Sequence, residues 1–327
     1  MAVETGVLSL AQIQAAAMRI QPHILATPII SGDALAGNGA WLKPENLQRT
    51  GSFKIRGATN AVLQLDPEQR RRGVITLSAG NHGQALASAA RAAGIPCVVV
   101  VRDDAQLNKL QAILRYGAEV VLVPIAQWQQ RLEEEQQRRN LHLVHPFDDP
   151  AVAAGQGTVG LEILDAVPNL RTVLVPVGGG GLISGIAVAV KQQQPDIRVI
   201  GVEPEKAPAV TESLAAGHPV PPSRLDTVAD GLAAPYTRPF TLAVIQRYVD
   251  EMRTVADEAI IDALRIIALR AKLVVEPAGA AAVASLLSDL NIERPVVAIL
   301  SGGNIDGQRL STWLAGQKKI PGWRPGD

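Results

Sequence analysis

The feature that most constrains the fold of this chain is a regular alternation of short apolar runs with alanine-rich helical patterns. Six runs rich in β-branched residues predict strands at residues 74–78, 97–101, 119–123, 172–177, 199–202 and 296–300. Helical patterns lie between and beside them at residues 84–93, 105–116, 128–139, 182–194 and 257–271. Strands that are apolar throughout and flanked by helices are typical of a parallel sheet buried on both faces. The predicted fold class is therefore α/β, doubly wound.

Charge and cysteine content exclude several classes of protein. Lys plus Arg and Asp plus Glu each number 31, so no basic field predicts binding of nucleic acid or of an anionic membrane. The single cysteine, Cys97, excludes an intramolecular disulfide, and its apolar surroundings predict a buried, unreactive side chain. No stretch approaches the ~20 apolar residues of a membrane span. Residues 1–10 lack the features of a signal peptide, so we expect a cytoplasmic protein without nucleic-acid or membrane partners.

A run of consecutive glycines follows the fourth predicted strand and precedes a helical pattern. This glycine loop consists of Gly178, Gly179, Gly180 and Gly181. Ligands of open α/β sheets bind at the carboxyl ends of the strands, and glycines at a helix start let backbone N–H groups surround an anion. The spacing fails the GxGxxG fingerprint of dinucleotide sites because the third glycine is missing. The loop therefore predicts a site for a single phosphate, and a merely tight turn is the alternative.

Two other predicted strands also end in residues suited to a ligand. The first strand is followed by residues 78–83 (SAGNHG) and then by a helical pattern, which makes a second possible anion site. In the alternative interpretation, Asn81 caps the helix and His82 is a passive surface group. The last strand is followed by Ser301 and two glycines, which leave room for a flat ring.

Lys54 stands at the start of a predicted helix, directly after Thr50, Gly51, Ser52 and Phe53. A cation is disfavoured there by the helix dipole, and burial would lower the pKa of its amine further. Both effects suit a lysine that forms a Schiff base with a carbonyl group. A lysine after such a sequence is more often a solvated surface residue. The combination with a phosphate site, a second anion site and a slot for a ring favours the Schiff-base interpretation.

Five segments together resemble the signature segments of the fold-type-II pyridoxal-phosphate (PLP) enzymes. They are residues 51–57 (GSFKIRG), 78–83 (SAGNHG), 178–181 (GGGG), 276–279 (EPAG) and 301–304 (SGGN). From about residue 27 to residue 307 the chain resembles the serine/threonine dehydratase family, in the branch that includes serine racemases. The resemblance implies a tryptophan synthase β-like fold, with two doubly wound sheet domains and the cofactor between them. It implies a large PLP-binding domain of residues 1–70 and 148–327, and a small mobile domain of residues 71–147.

The resemblance also implies roles for individual residues. Lys54 would hold PLP as a Schiff base and move the Cα proton, Phe53 would pack on the ring, and Asn81 would hydrogen-bond the ring hydroxyl. The glycine loop would bind the phosphate, and Ser301 would face the pyridine nitrogen. The substrate carboxylate would be received by Ser78, Ala79 (through its backbone), Asn81 and His82.

The residue type at position 301 bears on the reaction. A neutral hydroxyl there should leave the pyridine nitrogen unprotonated, which favours rapid loss of a β-leaving group. The resemblance thus implies an ammonia-lyase (dehydratase) that β-eliminates water from a β-hydroxy amino acid such as L-threonine or L-serine, giving a 2-oxo acid and ammonia. It also implies a homodimer or higher homo-oligomer. A racemase is the alternative, but racemases of this branch tend to carry a second serine where Ala79 stands.

Further positions depart from the family. Glu203 matches a cation ligand of the branch, but the carboxylate expected six residues later is Ala209. One carboxylate makes a poor divalent site, so we expect no metal. Trp128 lies in a segment, residues 125–131, that differs from the polar loop of relatives. It either lines the substrate pocket or is an ordinary helix-face residue.

Overall fold

The computed structural model describes residues 8–105, 107–289 and 291–316. Residues 1–7, on which part of the expectation about a signal peptide rests, lie outside these ranges. The strands are β1 (Ile30–Ser31), β2 (Ala40–Pro44), β3 (Val74–Leu77), β4 (Cys97–Arg102), β5 (Glu119–Val123), β6 (His142–Leu143), β7 (Thr172–Pro176), β8 (Arg198–Pro204), β9 (Glu251–Val255) and β10 (Val296–Leu300). The helices are α1 (Leu10–Ile20), α2 (Asp33–Ala36), α3 (Lys54–Leu63), α4 (Pro67–Arg72), α5 (Asn81–Ala93), α6 (Leu107–Arg115), α7 (Trp128–Arg139), α8 (Pro150–Ala166), α9 (Gly181–Lys191), α10 (Ala209–Ala216), α11 (Pro239–Tyr248), α12 (Asp257–Ile266), α13 (Pro277–Ser288) and α14 (Gly307–Ala315). None of the described helices is long and apolar enough to cross a membrane.

The described strands form two sheets. One sheet has the strand order β1-β2-β10-β7-β8-β9, and the other has the order β5-β4-β3-β6. Neighbouring strands are parallel throughout, except that β1 runs antiparallel to β2. Neighbours that are distant in sequence require crossover connections, which the intervening helices supply. The predicted α/β class and all six predicted strands are confirmed.

Helices cover both faces of the larger sheet, as continuous apolar strands require. In β7, Leu174 packs into a core cluster with α12 and α13. Its neighbours Val173 and Val175 point to the opposite face and pack with α8 and α9. A third cluster packs α3 and α5 against the smaller sheet. The carboxyl ends of both sheets are left for loops and helix starts.

A buried network of ion pairs holds α3, the helix that begins at Lys54. Arg56 is fully buried and donates to Glu45 from Nε (2.7 Å) and to Glu162 from a terminal nitrogen (2.6 Å). Lys43 of β2, equally buried, donates to Glu162 over 2.5 Å. Because an unpaired buried charge is very costly, these contacts fix the position of α3 relative to β2 and α8.

Candidate active site

A cavity of about 610 Å³ lies where the carboxyl ends of β3, β7 and β10 meet several helix starts. Every residue predicted for the site lines it: Phe53, Lys54, Ser78, Ala79, Asn81, His82, Gly178, Gly179, Gly180, Gly181 and Ser301. The structure therefore brings together segments that are far apart in the sequence. Within the larger sheet the placement follows from the topology, because parallel strands present their carboxyl ends at the same edge. The end of β3, in the smaller sheet, lines the same cavity.

Lys54 is the first residue of α3, and no side chain caps this helix. Its amine donates a hydrogen bond to the carbonyl oxygen of Pro146 (2.8 Å) and lies 5.1 Å from the ring centroid of Phe53. Burial lowers the pKa of the Lys54 amine to about 8, against the opposing effect of the Glu276 carboxylate. The amine is therefore neutral more often at neutral pH than that of a solvated lysine, as attack on a carbonyl group requires.

The glycine loop connects β7 to α9. Gly180 has a φ of +96°, in the left-handed region that favours glycine, and α9 starts without a side-chain cap. A Cβ atom at Gly179 would lie 2.5 Å from the ring of Phe147, and one at Gly181 would lie 2.8 Å from the Cα of that residue. Only glycines fit here, and the N–H groups of the first turn of α9 have no side chain to satisfy them. Such a loop suits a phosphate group.

The segment at the start of α5 carries polar side chains, whereas the glycine loop carries no side chains. Gly80 donates its N–H to the hydroxyl of Ser78 (3.2 Å), and no side chain caps α5. The predicted alternative that Asn81 caps the helix is therefore wrong. Instead, Asn81 Nδ2 donates to Glu276 Oε1 (2.5 Å), and Asn81 Oδ1 accepts from Asn304 Nδ2 (2.8 Å).

His82 is buried, with 2% of its surface exposed, so the alternative of a passive surface group is wrong. Its Nε2 lies 3.1 Å from the carbonyl oxygen of Val144, which can only accept, so Nε2 carries the proton. Burial lowers the pKa of His82 to about 3, with the charge of Lys54 acting in the same direction. The neutral ring then presents only a bare lone pair at Nδ1. Any contribution of His82 to binding a carboxylate has to come from its backbone N–H, in the first turn of α5.

Ser301 follows the last residue of β10 and is almost fully buried. Its hydroxyl donates to the carbonyl oxygen of Ala278 (3.2 Å), and its own carbonyl oxygen accepts from the N–H of Phe53 (3.1 Å). A β-bridge between Ser52 and Gly302 continues this contact. The backbone just before Lys54 is thus hydrogen-bonded to the end of β10. These contacts hold the start of α3, and with it Lys54, next to Ser301.

Glu276 belongs to one of the five signature segments, residues 276–279, but the resemblance assigns it no individual role. Its carboxyl group lines the cavity, although only 3% of the residue is exposed. Burial raises the pKa of this carboxyl to about 7, and the negative charge of Asp230 acts in the same direction. Asp230 pairs with Lys109 of α6 (2.5 Å) at the edge of the cavity, which joins the two sheets. The available signal for Glu276 was an acid directly before the proline that starts α13.

Trp128 lines the cavity, which confirms the first of its two predicted alternatives. It is the first residue of α7, and its indole N–H donates to the carbonyl oxygen of Val100 (3.2 Å). The guanidinium of Arg102 lies 6.0 Å from its ring. Trp128 therefore forms part of the cavity wall next to the end of β4.

Glu203 and Cys97 lie outside the cavity lining. The Glu203 carboxylate is buried and accepts from the backbone N–H groups of Val210 and Thr211 (2.8 Å each), so it caps α10. Burial raises the pKa of Glu203 to about 7. Cys97 is buried, as predicted, and burial raises the pKa of its thiol to about 12. Among the described residues, no group of three or more His, Cys, Asp or Glu side chains could hold a metal ion.

The residues of the cavity fit PLP. The Lys54 amine, with its lowered pKa, suits an aldehyde. The glycine loop offers uncapped N–H groups to a phosphate, and a Cβ atom at Gly179 or Gly181 would clash with Phe147. Ser301 adds a neutral hydroxyl in the same cavity.

Known proteins of similar sequence and structure agree with this fit. The family model for pyridoxal-phosphate-dependent enzymes matches residues 20–302. An L-threonine ammonia-lyase of Thermotoga maritima is 44% identical over 275 residues, covering 83% of this chain and 69% of the relative. A catabolic L-threonine dehydratase of Staphylococcus aureus is 41% identical over 317 residues, covering 93% and 91%. The structure of maize serine racemase superimposes with a TM-score of 0.89 at 36% identity, covering 94% of this chain and 96% of that one. The chain therefore belongs to the family of pyridoxal-phosphate-dependent enzymes and has the fold-type-II architecture.

Proposed function

We propose that the protein is an ammonia-lyase that removes water from a β-hydroxy amino acid, L-threonine or L-serine, and releases a 2-oxo acid and ammonia. The observation that carries the proposal is a single cavity that joins the Lys54 amine, the glycine loop and the Ser301 hydroxyl. Relatives named L-threonine ammonia-lyase and L-threonine dehydratase, 41–44% identical to this chain, support the choice of reaction.

When bound, PLP supplies the electron sink that lets an amino acid lose its Cα proton and then its β-hydroxyl group. Lys54 is the residue that holds the cofactor and then accepts the Cα proton at Nζ. Its lowered pKa leaves enough neutral amine for both tasks. The carbonyl oxygen of Pro146, 2.8 Å from Nζ, gives the amine a fixed resting position.

The remaining residues bind and orient. The N–H groups of the glycine loop would hold the phosphate, and the Phe53 ring would pack beside the cofactor ring. Ser301 would donate to the pyridine nitrogen by turning its hydroxyl away from the carbonyl oxygen of Ala278, to which it donates in the structure. Ser78, the backbone of Ala79, Asn81 and the backbone N–H of His82 receive the substrate carboxylate at the start of α5.

A racemase is the second candidate, because the fold matches that of maize serine racemase closely. Racemisation needs a proton donor on the face of Cα opposite Lys54. Ala79 lines the cavity and carries only a methyl group, which cannot donate a proton. This side chain favours elimination over racemisation.

Three wider expectations are also part of the proposal. Residues 71–147 would form a small mobile domain, because strands β3 to β6 make a sheet of their own. Residues 1–70 and 148–327 would form the large domain. The protein would be cytoplasmic and a homodimer or higher homo-oligomer, with Leu47, Leu269 and Val274 as exposed apolar side chains available for an interface.

A substrate screen tests the proposed reaction. The purified protein is incubated with L-threonine, L-serine and other β-hydroxy amino acids, and 2-oxo acid, ammonia and the D-enantiomer are measured. We expect equimolar 2-oxo acid and ammonia from at least one of the two named substrates, with little D-amino acid. Rapid formation of D-serine without 2-oxo acid would contradict the proposal and support the racemase.

A further inference from the structure

A chain of hydrogen bonds runs through the side chains at the rear of the cavity. Asn304 Nδ2 donates to the carbonyl oxygen of Thr50 (2.8 Å) and to Asn81 Oδ1 (2.8 Å). Asn81 Nδ2 in turn donates to Glu276 Oε1 (2.5 Å). Because the Thr50 carbonyl can only accept, it determines which atom of the Asn304 amide is nitrogen. The orientation of the Asn81 amide follows from that of Asn304.

This orientation decides what Asn81 offers to a ligand. An asparagine amide has two N–H groups, and Glu276 accepts one of them. Asn81 lines the cavity, so its second N–H is left for an oxygen atom of a bound molecule. Asn304 contacts only the oxygen of the Asn81 amide, so Glu276 is the side chain that holds its nitrogen in place.

Glu276 also carries a charge next to the reacting amine. Its carboxylate raises the pKa of Lys54 against the larger, lowering effect of burial, and the net pKa is about 8. Asp230, in the short helical turn Asp230–Leu232, and Lys109, on α6, act on the pKa of Glu276 in opposite directions. Glu276 is the carboxylate that acts on the charge of the Lys54 amine.

The histidines that face Lys54 do not titrate in the same pH range. Burial, with the Lys54 charge acting in the same direction, lowers the pKa of His82 to about 3. Burial, with the charges of Arg238 and Lys54, lowers the pKa of His145 to about 4. Both rings are neutral above pH 6, so a change in Lys54 near pH 8 does not come from them.

We propose that Glu276 is a positioning residue of this enzyme. Its carboxylate holds the nitrogen of the Asn81 amide, whose second N–H would donate to the ring oxygen of PLP, and its negative charge stabilises the ammonium form of Lys54. The inference rests on the proposed roles of Lys54 and Asn81, and adds a residue that acts on both. Gly302 is part of the same arrangement, because a Cβ atom there would lie 2.5 Å from Glu276 Oε1.

Two variants separate the hydrogen bond from the charge. Glu276→Gln keeps a side-chain oxygen that accepts from Asn81 but removes the charge, whereas Glu276→Leu removes both. Glu203→Gln is the matched control, because Glu203 is also buried, also has a pKa raised to about 7, and lies outside the cavity lining. The full chain is used in every case, first stripped of cofactor and then mixed with PLP in the absence of any amino acid.

The first readout is the rate at which the visible absorption band of lysine-bound PLP appears, measured from pH 6 to pH 10. In the wild type the rate should rise with the neutral fraction of Lys54, with a midpoint near the pKa of about 8. In Glu276→Gln the midpoint should fall by about one pH unit, because a nearby opposite charge no longer favours the ammonium form. Glu203→Gln should match the wild type.

The second readout is the equilibrium Kd for PLP at a fixed pH. Glu276→Leu should raise the Kd about ten-fold, the change expected when one buried hydrogen bond is lost. Glu276→Gln should raise it less than about three-fold, because the Asn81 orientation is kept. Circular dichroism of each variant shows whether it is folded, and if Glu276→Leu is not, the midpoint of Glu276→Gln decides the question.

An unchanged midpoint in Glu276→Gln, or a folded Glu276→Leu that binds PLP as tightly as the wild type, would overturn the inference. Neither outcome depends on the substrate, because no amino acid is present. Failure of the proposed ammonia-lyase activity would therefore be seen separately, in the substrate screen.

Discussion

Two helix starts face each other across the cavity and differ in what they present to it. At the start of α9 the chain is all glycine and packs tightly against Phe147. At the start of α5, Ser78 and Asn81 bring a hydroxyl and an amide, and a Cβ atom at Gly80 would meet open space. Both helices begin directly after a parallel strand, so the topology alone does not distinguish them.

The difference fits the separate tasks proposed for these two helix starts. Helices such as α4, α8 and α14 are capped by the side chains of Asp66, Asp149 and Asp306. Neither α5 nor α9 has such a cap, so their first N–H groups remain for ligands. The bare glycine loop suits a group that is always the same, the phosphate of the cofactor. The start of α5 adds side chains, as recognition of a substrate requires.

The largest effect should come from breaking the glycine loop. Gly180→Ala places a side chain at a φ of +96° and 2.8 Å from Ile245 Cδ1, so the loop has to move. Losing one charge-assisted hydrogen bond to the phosphate should weaken PLP binding about 10- to 100-fold, as measured by titration of the visible absorption band.

Gly307→Ala is the control for this prediction. Gly307 starts α14, has no positive φ, and a Cβ atom there meets nothing within 4 Å. It should bind PLP like the wild type. Wild-type affinity in Gly180→Ala would show that the phosphate is held elsewhere.

The hydroxyl of Ser78 tests whether the start of α5 has a task separate from that of α9. Ser78→Ala removes a hydroxyl from the cavity and leaves α9 untouched. We expect kcat/KM for the amino acid to fall about ten-fold, the value of one lost hydrogen bond. The Kd for PLP should change less than about two-fold, since Ser78 does not face the phosphate. A large loss of PLP affinity would mean that the two helix starts do not have separate tasks.

The smallest effect is expected at Ala79, where the substitution adds a functional group instead of removing one. Ala79→Ser places a hydroxyl at the start of α5 that can donate a proton to Cα. The ratio of D-amino acid to 2-oxo acid, measured by chiral chromatography, should rise several-fold, because the added hydroxyl can act as a general acid. An unchanged ratio would show that position 79 does not face Cα.

The parts of the fold that could be predicted are those in which packing alone determines the structure. Strands β3, β4, β7 and β10 are apolar on both faces, and their patterns identify them. Strand β9 was not predicted because it lies at a sheet edge, where Arg253 pairs with Glu251. Strand β2 could not be predicted because Lys43 interrupts its apolar pattern. The burial of Lys43 depends on its ion pair with Glu162, which lies in a distant helix.

The residues of the site also divide into those that a local pattern indicates and those that depend on long-range packing. Lys54, the glycine loop and Ser301 could be predicted because each stands beside its own strand end or helix start. Glu276 could not, because its contact with Asn81 joins residues 195 positions apart. Its pKa is raised because segments distant in the sequence bury it, and no local sequence pattern shows that these segments pack together. The same holds for His82, whose tautomer depends on the carbonyl oxygen of Val144 and whose neutral state depends on burial.

The most direct test of the account is to find which lysine carries the cofactor. The protein is reduced with borohydride in the presence of PLP, digested, and mapped by mass spectrometry, with Lys54→Ala treated in parallel. We predict a single reduced PLP adduct on Lys54 in the wild type and none in the variant. An adduct on another lysine, or one that persists in Lys54→Ala, would contradict the central claim that the cofactor is bound between the start of α3 and the glycine loop.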